Sequence, residues 1–298
     1  AQPKPEEVAF DLDRALASVL QLRAEIPADA FTAAVLGTER QGSAVLIDVR
    51  GLVLTIGYLV TEAEQVWLTS HLGQAIQAHV LAYDFQTGFG LLQTLGRLGR
   101  PPLPLGSTAQ LGVGTPVIFA AGGGRKAALQ TRLVGKREFA GYWEYVLDEA
   151  LYTAPAHPHW GGAALIDPQG RLAGIGSLLI QAEAGPTRGA AGNMVVPIDL
   201  LPPVIDDLRR FGRVQRPARP WLGIYATEAG DRLIVAGVAP QGPGEQAGVE
   251  QGDLILTVAG QPVSDLADLW RTVWATGDAG VTVPLTLQRD DRRLEVKI

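Results

Sequence analysis

Glycine and proline cut this chain into short pieces, and that limits what it can fold into. The 298 residues include 36 Gly and 20 Pro, scattered between apolar runs rather than gathered in repeats. Proline removes an amide donor and glycine adds chain entropy, so such dense punctuation opposes long helices. Runs rich in Val, Leu and Ala, each closed by Gly, Asp or a polar turn, are the pattern of a turn-rich β protein. In the first half these runs are residues 43–48, 52–56, 65–69 and 76–82. A Pro/Gly-rich segment at 96–106 interrupts them, and a second set follows at 116–120, 129–134, 143–152, 163–166, 172–180 and 193–197. Two consecutive groups of strands with a linker predict two packed β-barrels. Residues 1–14 are polar and read as an arm or short helix.

The period changes at residues 198–211. Leu200, Leu201, Val204, Ile205 and Leu208 recur at helical spacing, with Asp206, Asp207, Arg209 and Arg210 on the other face and Gly212 as the stop. Charges of both signs on that face mark an exposed helix, not a membrane anchor. A polar, Pro-containing linker leads to a third unit with strands near 222–226, 233–238, 254–258 and 282–288 and a helix at 266–274. The expected organisation is therefore an N-terminal arm and first strand (1–30), a double β-barrel with a closing helix (31–212), a linker (213–219) and a small C-terminal domain (220–298).

Composition excludes several function classes. The net charge of −6 without a basic tract argues against nucleic acid and against anionic membrane surfaces as partners. The absence of cysteine excludes disulfides, thiol catalysis and thiolate metal sites. No apolar run reaches the roughly 18 to 20 residues that span a bilayer, so membrane insertion is not expected. The start Ala1-Gln2-Pro3, lacking Met, suits the product of a signal peptidase and predicts export.

Three segments resemble the HtrA family of trypsin-like serine proteases, in the order His, Asp, Ser. GSAVLIDVRGLVLTIGYLV (42–60) is similar to the family stretch that ends in the catalytic His, which falls on Tyr58. DFQTGFGLL (84–92) resembles the D-P-x-T-D-L-A-L-L run without a gap, and the catalytic Asp falls on Gly88. HPHWGGAALIDPQGRLAGIGS (157–177) resembles the nucleophile loop, and the Ser falls on Trp160. GNMVVPIDLLPPVIDDL (192–208) looks like the family's closing strand and helix. The C-terminal unit resembles a bacterial PDZ domain through RPWLGIYA (219–226) and PGEQAGVEQGDLILTVAGQPVSDLADL (243–269). The resemblance implies a mostly β chain: a chymotrypsin-like double β-barrel followed by a PDZ domain.

It also implies a site without its chemistry. The mechanism needs an imidazole base, a carboxylate that orients it and a hydroxyl that attacks. Tyr58 offers a phenol with an ordinary pKa near 10, Gly88 offers no side chain, and Trp160 offers an indole that would fill the space of a scissile bond. Losing one member of such a unit costs about as much as losing all three. The family's oxyanion donors are the N–H groups of the nucleophile and of the glycine two residues before it. That earlier position is Pro158, which has no N–H. A relocated active site would have to draw on His71, His79, His157 or His159, with Ser177 and Asp84, and no spacing joins these into a nucleophile, base and orienter.

For the PDZ-like unit, the resemblance places a peptide groove at Leu222, Gly223 and Ile224, whose N–H groups would hold a terminal carboxylate, and at Leu266 and Leu269 of the facing helix. The alternative is a groove that docks only on its own barrel or on a neighbouring subunit. His157 and His159 put two imidazoles on one extended segment, too few ligands for a metal site. Trp143, Trp160, Tyr142 and Tyr145 could line an aromatic pocket but read first as core and rim. Gly122–Gly124 reads as a flexible barrel loop, and Glu144, Asp148 and Glu149 read as solvated carboxylates. No cofactor is expected. The leading expectation is a catalytically inactive, exported protein, periplasmic in the manner of the family, that binds a protein or peptide C-terminus. An endopeptidase with a non-standard constellation and a metal- or small-ligand-binding accessory protein are the alternatives. The family assembles as trimers through N-terminal segments, but residues 1–25 show no clear version of that signal, which leaves the homo-oligomeric state open.

Overall fold

The computed structural model describes residues 1–181 and 189–298. It divides into two compact units, one formed by Ala1–Arg137 with Glu149–Val214 and the other by Glu138–Asp148 with Gln215–Ile298.

The first unit contains two closed antiparallel barrels. Strands β1 (Val19–Glu25), β2 (Glu39–Leu46), β3 (Leu52–Ile56), β4 (Gln65–Thr69), β5 (Ala75–Tyr83) and β6 (Phe89–Thr94) close in the order β1-β2-β3-β6-β5-β4. Strands β7 (Pro116–Ala120), β8 (Ala128–Gly141), β9 (Tyr145–Ala154), β10 (Ala164–Ile166), β11 (Leu172–Gln181) and β12 (Ala191–Pro197) close in the order β10-β11-β12-β9-β8-β7. Closure leaves no unpaired sheet edge, which is the physical reason such short strands can stand. Inward residues of alternating pattern fill each barrel. Leu20, Leu22, Val45, Leu54, Leu68 and Leu92 are buried in the first, and Phe119, Leu133, Leu151, Leu165 and Val195 pack together in the second. Each fully buried side chain of this size contributes roughly 1.5–3 kcal/mol of apolar burial.

A short helix, α1 (Leu12–Leu16), precedes β1, with the Asp11 carboxylate capping its N-terminus through the Arg14 N–H, and a single-turn helix, α2 (Ala33–Leu36), lies between β1 and β2. The helix expected over residues 198–211 is in fact two pieces. A 3₁₀ turn covers Ile198–Leu200, and α3 (Ile205–Phe211) follows, because Pro202 and Pro203 sit where one helix would need backbone donors. Gly212, in the left-handed region, ends α3.

In the second unit β13 (Ile224–Ala229), β14 (Arg232–Val238), β15 (Leu254–Val258), β17 (Pro284–Arg289) and β18 (Arg292–Lys297) form one sheet, with the two-residue β16 (Gln261–Pro262) beside β15. A short helix, α4 (Pro243–Gln246), precedes β15. The main helix, α5 (Leu266–Trp274), buries Leu266, Ala267, Leu269, Trp270 and Val273, and the Asp265 carboxylate caps its N-terminus. Strand β18 escapes sequence reading because its sequence, RRLEVK, carries charge at four of six positions.

The largest departure from expectation is the β8–β9 hairpin. Strand β8 runs on to Gly141, well past the apolar run at 129–134, and Trp143 and Glu144, expected on a strand, lie in the turn instead. That tip belongs to the second unit, although its stems are strands of the second barrel.

Candidate functional site

Tyr58 lies in a single 3₁₀ turn, Gly57–Leu59, that follows β3. Its hydroxyl donates to the Ser177 carbonyl at 2.7 Å. Burial pushes the phenol well above its ordinary pKa, so it holds its proton and acts as a donor. The turn is fixed from below by Arg40, a residue whose role the sequence did not reveal. The Arg40 guanidinium is buried and donates to the carbonyls of Tyr58 (2.8 Å) and Thr61 (3.0 Å) and to the Thr32 hydroxyl (2.7 Å).

Gly88 occupies the turn between β5 and β6 with a φ of 85°. That left-handed conformation costs any L side chain, so the position is shaped for glycine and not for a carboxylate. The nearest acid, Asp84, is committed to the same turn: its carboxylate accepts from the Thr87 hydroxyl at 2.8 Å and from the Thr87 N–H at 3.2 Å. Trp160 packs against the core of the second barrel, beside a cluster that includes Phe119, Leu133 and Ala163. Its indole packs there and also meets the Tyr58 hydroxyl.

His157 is locked as a neutral structural imidazole. Its Nε2 lies 3.1 Å from the Ala127 carbonyl and its Nδ1 accepts the His159 N–H at 3.0 Å, which together define the Nε2–H tautomer. The ring stacks on Phe119 at a centroid distance of 5.5 Å. Fully buried Asn193 brackets the backbone of His157, accepting from its N–H at 2.7 Å and donating to its carbonyl at 3.1 Å. Burial pulls the His157 pKa below its ordinary value. Both ring nitrogens are used, so His157 can neither take a hydroxyl proton nor bind a metal as it stands. The His159 N–H, adjacent to Pro158, is consumed by the same ring and is not offered to an oxyanion. His71 lies in the turn after β4, His79 lies on β5, and Ser177 lies buried on β11, where its carbonyl serves Tyr58. Among the described residues no group of three or more His, Asp or Glu side chains is placed to hold a metal ion.

The glycines at 122–124 do not form a loose loop. A Cβ on Gly122 would lie 2.3 Å from the Gln21 backbone nitrogen, and the Gly122 N–H donates to the Ser43 hydroxyl at 3.0 Å. Close backbone approach, not flexibility, explains that glycine.

In the second unit the N–H groups at 222–224, expected to hold a terminal carboxylate, meet a carboxylate of the chain itself. The Glu144 side chain accepts from the backbone N–H groups of Leu222 (3.0 Å), Gly223 (2.8 Å) and Ile224 (3.4 Å). Gly223, at φ 68°, turns the loop so that these successive N–H groups converge on one oxygen. Burial outweighs those bonds and raises the Glu144 carboxyl to about 7. Glu144 is therefore not a solvated acid. Asp148 does remain exposed and pairs with Arg271 of α5, which also meets Glu138. Leu266 and Leu269 lie in the apolar cluster of this unit, against which Ala140 and Val146 of the hairpin pack. Tyr142, Trp143 and Tyr145 cluster with Phe139 at the hairpin tip, and Tyr142 also meets Tyr225, while Trp160 lies in the other unit.

Comparisons with known proteins also give two parts, with the 138–148 hairpin inside the first match. Residues 42–175 match the trypsin-like peptidase domain and residues 220–298 match the PDZ domain. Serine endoprotease DegS of Escherichia coli (strain K12) is 26% identical over 273 residues, covering 86% of this chain and 75% of DegS. Protease Do-like 1, chloroplastic, of Arabidopsis thaliana is 29% identical over 300 residues, covering 91% of this chain and 66% of that protein. Among solved structures, the HtrA-type protease AlgW with tripeptide superposes with a TM-score of 0.55 at 21% identity, covering 96% of this chain and 94% of that one. The serine endoprotease from Yersinia pestis gives 0.54 at 23% identity, covering 98% and 97%. Each of these structures shares the fold.

Proposed function

We propose that this chain, a trypsin-like peptidase domain followed by a PDZ domain, is a catalytically inactive homologue of the HtrA-type serine proteases that binds polypeptide. The observation that carries this reading is the chemistry at the three positions that the resemblance assigns to the triad: a phenol that donates a hydrogen bond to a carbonyl, a glycine in the left-handed region and an indole packed against a core. None of these can accept a hydroxyl proton, orient a base or attack a carbonyl. His157, one of the two imidazoles beside Trp160 in the sequence, has both ring nitrogens engaged, so it is not available as the base of a relocated constellation. What the chain retains for function is recognition. The carboxylate loop at 222–224 supports binding of a polypeptide C-terminus, and a fold relative solved with a tripeptide accords with that use. Residence in the periplasm is part of the same proposal, supported by relatives such as the probable periplasmic serine endoprotease DegP-like of Pseudomonas putida (strain W619), which is 27% identical over 86% of this chain.

A fluorescent casein assay on the purified protein tests the loss of hydrolysis. No release above the protein-free baseline is expected. Cleavage that persists through purification and disappears in Trp160→Ala or His159→Ala would overturn the proposal.

A further inference from the structure

The peptide groove of the second unit is already filled by the chain itself. Tyr142 to Glu144, the turn of the hairpin, meet residues 222–226 in opposite chain order: the Glu144 carboxylate accepts from the N–H groups at 222–224, and two residues earlier the Tyr142 carbonyl accepts from the Ala226 N–H at 3.0 Å. The turn thus presents its acceptors to these amides in the order in which an extended ligand adding to the sheet edge would present its own. One residue further back, the Gly141 carbonyl accepts from the indole Nε1 of Trp270 on α5 at 2.8 Å, so helix and strand edge grip the same segment from both sides. Ala140 and Val146 pack against the apolar cluster that contains Leu266, Leu269 and Trp270.

We infer that the tip of the 138–148 hairpin is the resident ligand of this groove, with the Glu144 side chain standing in for a terminal carboxylate, so that an incoming polypeptide C-terminus binds by displacing it. The inference rests on the peptide-binding reading above and makes it more specific. The ligand class is an extended C-terminal segment with a free carboxylate, whose carbonyls would replace those of Tyr142 at Ala226 and of Gly141 at Trp270. Being tethered, the hairpin competes at a high effective concentration, in the millimolar range for short connections. A free peptide therefore meets a groove that is open only a small fraction of the time, and its apparent affinity falls by that fraction.

Two measurements on the full chain separate the parts of this inference. Hydrogen exchange of the Leu222, Gly223, Ile224 and Ala226 amides, compared between the wild type and Glu144→Ala, reads the docking itself. Protection in the wild type that is lost at Leu222, Gly223 and Ile224 in the variant is expected. Equal exchange in both would overturn the resident-ligand assignment, whether or not the protein binds any peptide. Fluorescence anisotropy with a labelled peptide of sequence 138–143 ending in a free carboxylate reads the competition. The expected result is binding to Glu144→Ala about tenfold or more tighter than to the wild type, with Glu144→Gln, of equal size, also tighter than the wild type. Equal affinities in all three would overturn displacement while leaving peptide binding intact. Amide protection that depends on Glu144, with no peptide binding to any variant, would uphold the resident ligand and instead overturn both displacement and the wider peptide-binding proposal. The conservative Glu144→Gln change keeps the test readable if the alanine variant folds poorly at this left-handed position.

Discussion

At the residue scale, His157 shows how a group that reads as a candidate base is diverted to structure. The Ala127 carbonyl needs its Nε2–H, the His159 N–H needs its Nδ1 lone pair, and Phe119 covers its face. Protonation would put a second hydrogen on Nδ1, directly against the His159 N–H, inside a buried site. The folded protein therefore holds the imidazole neutral and its pKa below the ordinary value near 6.5. In linkage terms the unfolded chain takes up this proton more readily, so the stability due to neutral His157 is complete above about pH 6.5 and drains away as pH falls towards the folded-state value. Chemical denaturation at pH 7.5 and pH 5 is expected to show a lower midpoint in acid. His157→Gln, which can still donate to Ala127 and accept from His159, is expected to shrink that difference. An equal acid shift in wild type and variant would assign the effect to other groups.

At the element scale, the β8–β9 hairpin separates bonds that hold from bonds that decorate. Glu144, Tyr142 and Gly141 engage backbone and indole N–H groups in a half-buried groove, whereas the Arg271 pairs with Glu138 and Asp148 lie at the surface, with Asp148 almost fully exposed. Exposed ion pairs contribute roughly 0–1 kcal/mol and are screened by salt. Arg271→Ala is accordingly expected to change affinity for the 138–143 peptide by less than about threefold, and less still in 0.5 M salt. A change as large as that from Glu144→Ala would show that the hairpin is held by charge and not by the groove. This element was also the hardest to read in the sequence. In GYWEY the aromatic residues carry the strand pattern straight through the turn, and a carboxylate at a turn reads as solvated until the partner amides, 78 to 80 residues away, are known.

At the scale of the whole molecule, the three positions that the family resemblance assigns to a triad lie in separate loops of the double barrel, each fixed by its own surroundings. Gly88 is in the left-handed region, the Tyr58 turn is pinned by Arg40, and Trp160 packs against a core. Restoring the three residue types together, Tyr58→His with Gly88→Asp and Trp160→Ser, is therefore expected not to restore casein cleavage. The Asp would be strained, Pro158 would still lack an N–H, and the His159 N–H would still be spent on His157. Removing the partly buried indole should also cost about 2–4 kcal/mol, visible as a lower unfolding midpoint. Cleavage by the triple variant would mean that the scaffold is still organised for hydrolysis.

The sequence by itself determined the architecture and the residue types at the positions that the family resemblance assigns to a triad. Gly and Pro punctuation, period-2 apolar runs and three ordered motifs are local signals, and most barrel strands follow from their own few residues. The helix at 266–274 was legible for the same reason, since its apolar spacing is set within the segment. Only the tertiary structure decided what the site residues do: that Tyr58 donates to Ser177, that Asn193 clamps His157, that Gly122 is packed, and above all that Glu144 fills the carboxylate loop. These are partnerships between residues far apart in the chain, where hydrogen bonding and desolvation depend on which distant backbone groups arrive at the same place.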